Sequence, residues 1–139
     1  MSKALTTNPL KSLKKSFQAT THNLEFVNDA KVEGYPQPIP ISGVVEFNVD
    51  GWAIDEAANK PASEVYIEVD GIKLFKANYG LKRPDIEKIY NADMRFTGFR
   101  CPVNVSEIGK GTHHLKIKIV SANGKEYFEP DYFVNIIAK

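Results

Sequence analysis

The sequence predicts an all-β fold: a single antiparallel β-sandwich with one short helix. Three observations carry this. Short runs of alternating apolar and polar residues recur from residue 24 onward. The dipeptides Asp70-Gly71 and Asn123-Gly124 separate adjacent runs, as tight hairpin turns do. Only one segment, residues 84–90, carries clear helix-start signals, with Pro84 early and acids in the first turn.

The length of 139 residues suits one domain with a core that needs no disulfide. The lone Cys101 excludes an internal disulfide and a four-cysteine metal site, and its apolar surroundings predict a buried thiol. A formal charge of +1 gives no global pull toward nucleic acid. No apolar run is long enough to span a bilayer.

Residues 1–21 read as a basic leader and residues 22–139 as the sandwich. The leader has no apolar core of the kind a signal peptide needs. Read as it stands, the chain is expected in the cytoplasm; as a fragment of a larger envelope protein it would lie outside. Asn8-Pro9 predicts a short capped helix with Leu10, Leu13 and Phe17 on one side and Lys11, Lys14 and Lys15 mostly elsewhere. Such a leader is either frayed or packed down, or else touches an anionic membrane surface, with the frayed or packed-down state favoured.

"NLEFVND" predicts a strand, and the three prolines of "GYPQPIP" predict a break. Val45, Phe47 and Val49 then alternate. Gly51 interrupts them, and Trp52 and Ile54 resume in the opposite phase, which predicts a bulge in this strand. A two-residue turn at Asp70-Gly71 would pair Val69 with Ile72 and Ile67 with Leu74 on an apolar face. Glu68 with Lys73 and Tyr66 with Phe75 would form a mixed face. Around Asn123-Gly124 the expected register sets Phe128 opposite Ile119, with Leu115 and Ile117 also in the core. His114, Lys116 and Lys118 are expected on a solvated face. "MRFTGFRCPV" and "DYFVNIIAK" are further strands.

The order "GWAID", "VYIEVDG", "YGLKRPDI", "TGF", "GTHHLKIKIV", "GKEYFEP" resembles a bacterial immunoglobulin-like β-sandwich module. The resemblance covers roughly residues 24 to 130, and "GWAID" with "RPD" is its most specific part. Such modules often accompany glycosyltransferases or other cell-envelope glycan proteins. The resemblance therefore implies a non-catalytic module for glycan or glycan-linked substrate, with a glycan or glycosyltransferase as partner. The alternative is a protein-interaction or scaffold module that pairs through an exposed strand edge and takes no small ligand.

Catalytic patterns are absent from the sequence: no nucleophile elbow, phosphate-binding glycine loop or metalloprotease helix motif occurs. Asp50 and Asp55 could in principle act as a glycosidase pair, but carboxylates near turns are common. His113 and His114 are adjacent on a strand, point to opposite faces and cannot chelate one metal side by side. No cofactor or metal is expected. Lysines Lys116 and Lys118 are offset by nearby acids, and no aromatic-basic RNA-binding motif appears, so no nucleic acid partner is expected.

Five residues remain as ligand-binding candidates: Trp52, Tyr79, Arg83, Asp85 and Tyr90. Trp52, the only tryptophan, is read either as a core plug or as a sugar platform. Pro84 restricts Arg83 to an extended conformation just before the helix. Arg83 either braces the loop against a carboxylate such as Asp55, with Asp85 capping the helix, or offers fixed donors to a ligand. Bracing is favoured. Tyr79 and Tyr90 would supply aromatic faces.

Overall fold

The computed structural model describes residues 2–18 and 20–139. In chain order the strands are β1 (Lys14–Ser16), β2 (His22–Val27), β3 (Ala30–Lys31), β4 (Ile39–Ile41), β5 (Glu46–Asp55), β6 (Lys60–Pro61), β7 (Glu64–Val69), β8 (Lys73–Lys76) and β9 (Asn78–Lys82). Helix α1 (Pro84–Ile89), β10 (Phe96–Asn104), helix α2 (Val105–Ile108), β11 (Gly111–Val120), β12 (Glu126–Phe128) and β13 (Val134–Ala138) complete the chain. The fold is all-β, and its sheets form a sandwich, as the alternation predicts. Helix α2 is an additional single turn, capped by the Asn104 side chain on the Ser106 N–H at 3.0 Å.

The first sheet has seven strands and centres on β11. One side of β11 carries β7 and then β8. On the other side β13 and β4 flank its first half, and β12 and β1 its second. The second sheet runs β3-β2-β5-β10-β9, with β6 on the end of β5. Val65, Ile67 and Ile117 of the first sheet meet Val49, Phe99 and Val103 of the second in one buried core. Cys101 lies in this core, where burial pushes its thiol up to about 12, so it is a packing residue and not a nucleophile.

Several expectations are corrected here. The first hairpin pairs Val69 with Lys73, Glu68 with Leu74, Ile67 with Phe75 and Tyr66 with Lys76, one residue out of the expected register. Asp70 and Gly71 do take positive φ, 56° and 70°. Ile72 joins the loop and is 80 % exposed. The reason is that both faces of this hairpin are covered. Phe75 enters the main core, while Tyr66 and Leu74 pack under the leader with Leu10 and Val120. Alternation therefore did not discriminate between registers. The turn is also tied to β11: Asp70 accepts from the His114 N–H at 2.8 Å and lies 2.6 Å from His113 Nδ1.

The leader forms a 3-10 turn over Pro9–Ser12 instead of an α-helix. Leu10 is buried and Leu13 half-buried, but Phe17 points out and is 92 % exposed. β1 then pairs parallel with β12. Within "GYPQPIP" the break is incomplete, because Ile39–Ile41 forms a strand, on the edge of the sheet, where a proline costs no ladder bond. The second hairpin has the expected register, Ile119 opposite Phe128. Lys118, however, is not solvated. It is 6 % exposed and bonded to Glu129 and, at 3.3 Å, to Glu68.

Candidate functional site

The outer face of the second sheet holds the candidate site, and a bulge shapes it. In β2, Leu24 is opposite Gly51 and Phe26 opposite Asp50, so Glu25 is an extra residue. Leu24 and Val27 are both in the core although three positions apart. The bulge thus sits in β2 and not in β5, where the sequence placed it. Gly51 is its counterpart. A Cβ there would lie 1.9 Å from the Asn23 carbonyl oxygen, so only glycine lets the two backbones approach. β5 itself alternates without a phase change. Phe47, Val49 and Ala53 face the core, while Trp52 and Ile54 face outward and pack against Ile86 of α1 and Met94.

The bulge presents Glu25 to Arg83. Arg83 Nη1 donates to Glu25 Oε1 at 2.6 Å and Nη2 to Glu25 Oε2 at 3.1 Å. Nε and Nη2 donate to the two Asp85 oxygens at 2.9 and 2.7 Å. Four of the roughly five guanidinium N–H bonds are therefore spent within the protein. The side chain lies across Gly98, whose Cβ would meet Arg83 Cγ at 2.9 Å. Asp85, and then Glu25, hold the guanidinium even more firmly protonated than usual, and Arg83 holds the Asp85 carboxyl below its ordinary range. The loop is also fastened by its backbone, through Arg83 N–H to the Arg95 carbonyl at 2.6 Å, and by Arg95 on Glu87 at 2.7 Å.

Next to this cluster Arg100 and Asp50 face each other across β10 and β5, with Nε 2.6 Å from Oδ1. Glu25, Phe26, Asp50, Leu81, Arg83, Gly98 and Arg100 line an open groove of about 680 Å³. Trp52 is opposite Gly98, so it shares this face, and its ring meets Tyr90 at 6.1 Å between centroids.

Of the five candidates, four come together here. Trp52 and Tyr90 form an aromatic pair beside α1, and Arg83 and Asp85 form an ion pair. Tyr79 is elsewhere: its hydroxyl donates to the Ala53 carbonyl at 2.7 Å and accepts from the Ala62 N–H at 3.0 Å. Its ring packs on the main core, and burial pushes the phenol up to about 12. It braces the sandwich from within. Asp55 is buried and is not the partner of Arg83. It accepts from the Ala58 and Ala122 N–H groups at 3.1 and 2.8 Å, while Asp50 pairs with Arg100, so these two carboxylates serve separate places. Asp85 pairs with Arg83 and makes no principal cap.

Sequence reasoning missed Glu25, Phe26 and Arg100. The three-residue spacing of Leu24 and Val27 in "NLEFV" was the available signal for Glu25. Among the described residues no cluster of three or more side chains is placed to hold a metal ion, and no helix is long and apolar enough to cross a membrane. No protein-family model, curated protein or solved structure matches the chain.

Proposed function

We propose that the chain is a non-catalytic binding module for a glycan or glycan-linked substrate, accessory to enzymes of envelope-polysaccharide chemistry. The supporting observation is the groove on the second sheet. It is open along the surface, so it suits a chain and not an enclosed small molecule. Its floor carries planar arginine–carboxylate arrays, and aromatic rings flank it at Phe26 and Trp52. Hydroxyl groups match the first and the C–H faces of sugar rings the second. The resemblance of "GWAID" and "RPD" to immunoglobulin-like modules of glycan proteins agrees with this reading. Ligand contact falls to Phe26, Asp50 and Arg100, with Arg83 as a brace and Trp52 beside the groove under α1.

A glycan array probed with folded protein tests it: binders above background, lost in Phe26→Ala/Arg100→Ala, are the expected result. A second reading has its own observation. Leu81 in the groove wall, Ile89 on α1 and Phe96 on β10 are exposed apolar side chains, which suit a protein partner. A folded chain that ignores every glycan but captures a defined partner through these residues would favour that reading.

A further inference from the structure

The groove's hydrogen-bond valence points to its ligand class, and we propose that it selects a neutral, hydroxyl-rich chain and rejects polyanionic ones. This rests on the glycan reading above. The lining contains Lys82, Arg83 and Arg100 against Glu25, Asp29 and Asp50, so its charges balance. Asp85 on Arg83 adds one more negative charge. Arg83 has almost no donor left for an anion, and Arg100 already shares its charge with a carboxylate. Arg83 is held bidentately by two carboxylates. Arg100 is held by Asp50, and Asp29 adds to the negative field at its guanidinium.

A carboxylate or sulfate docking on either arginine would have to displace a bound carboxylate or lie beside it. Both routes cost Coulomb energy, more at Arg83, whose side chain is 21 % exposed, than at the more open Arg100. A hydroxyl meets no such cost. Each oxygen of Glu25 and Asp50 takes one arginine N–H and keeps a lone pair able to accept from a hydroxyl. Arg100 is bonded through Nε and Nη2 only, and its side chain is 51 % exposed. Nη1 therefore has N–H groups that can donate to the same hydroxyls. A group that both donates and accepts fits this lining without breaking an ion pair.

Calorimetric titration of the full chain with two hexasaccharides tests the inference, one a neutral hexose chain and one a hexuronate. The neutral chain should bind with little dependence on salt, and the hexuronate at least about tenfold more weakly. Asp50→Asn removes one charge while keeping side-chain shape. It should narrow the gap by about tenfold, with circular dichroism confirming the fold. A hexuronate that binds as tightly as the neutral chain, and weakens with salt, overturns the selectivity while leaving a glycan-binding module. A gap unchanged in Asp50→Asn overturns the charge argument alone. Binding of neither oligosaccharide sinks the inference and counts against the glycan reading itself.

Discussion

Arg83 spends its guanidinium on the protein, and this fixes what its removal does. Arg83→Ala leaves Glu25 and Asp85 without their partner. The pair with Glu25 is partly buried, with side-chain exposures of 21 % and 25 %, and Asp85 is more open. The expected loss is about 1–2 kcal/mol, between the cost at an exposed pair and that of breaking a fully buried one. Arg83→Lys should recover only part of it, because an ammonium does not bond two carboxylates in parallel. Denaturant melts of the three proteins check this, and an unchanged midpoint in Arg83→Ala would remove the brace. Gly51→Ala is expected to cost about 2–3 kcal/mol, since its Cβ meets the Asn23 backbone at 1.9 Å, with the buried Phe99 ring next at 3.0 Å. The brace was legible in the sequence because Pro84 holds Arg83 extended. Its partner was not, because Glu25 is 58 positions away and only the β2 bulge brings it there.

The leader is a strap held at several points: the Leu5 N–H donates to the Leu74 carbonyl at 2.8 Å, Leu10 is an apolar anchor, and β1 pairs with β12. Leu10 is buried with Tyr66, Leu74 and Val120, so Leu10→Ala should cost about 2–3 kcal/mol. Phe17 touches little, and Phe17→Ala should stay within about 0.5 kcal/mol. Urea unfolding of both variants distinguishes the strap from a frayed tail. The strap ends in an ion cluster in which Lys118 and Lys15 hold the Glu129 carboxyl at about 2, against an ordinary 4.5. A depressed carboxyl stabilises the fold above its ordinary value and loses that contribution as pH falls toward the folded value. Stability should therefore drop between pH 4.5 and about 2. Glu129→Gln should flatten that drop by about 1 kcal/mol after allowing for solvent screening, as read by denaturant melts across pH. This cluster also shows where the pattern misled. Lys118 alternates as a solvent-facing residue does, but the strap and Glu129 cover that face. The slipped first hairpin has the same cause: where both faces are buried, period-two patterning fixes the strand and not its register. The second hairpin has the expected pairing of Ile119 with Phe128, although Val120 on its other face is buried as well.

The sandwich divides its two outer faces between different tasks. The first sheet's outer face is covered in part by the leader through Leu10 and by the Lys118 cluster, and an open pocket of about 420 Å³ remains beside Asp70, His114, Lys116 and Phe133. The second sheet's outer face is closed only at one end, where α1 and Met94 cover Trp52 and Ile54, and the rest is the open groove. The two-sheet architecture was readable from alternation and turn dipeptides, since each strand's core face is written locally. The groove was not, because its floor joins side chains from β2, β5, β9 and β10 that no local pattern links. A titration followed by 1H–15N correlation spectra, with a neutral hexose oligosaccharide added to the full chain, tests whether this face binds. The expected result is a set of saturable shifts at Phe26, Asp50, Gly98 and Arg100, with Tyr79 and the leader around Leu10 unmoved. Saturable shifts confined to the leader face, or none at any oligosaccharide concentration, would contradict it.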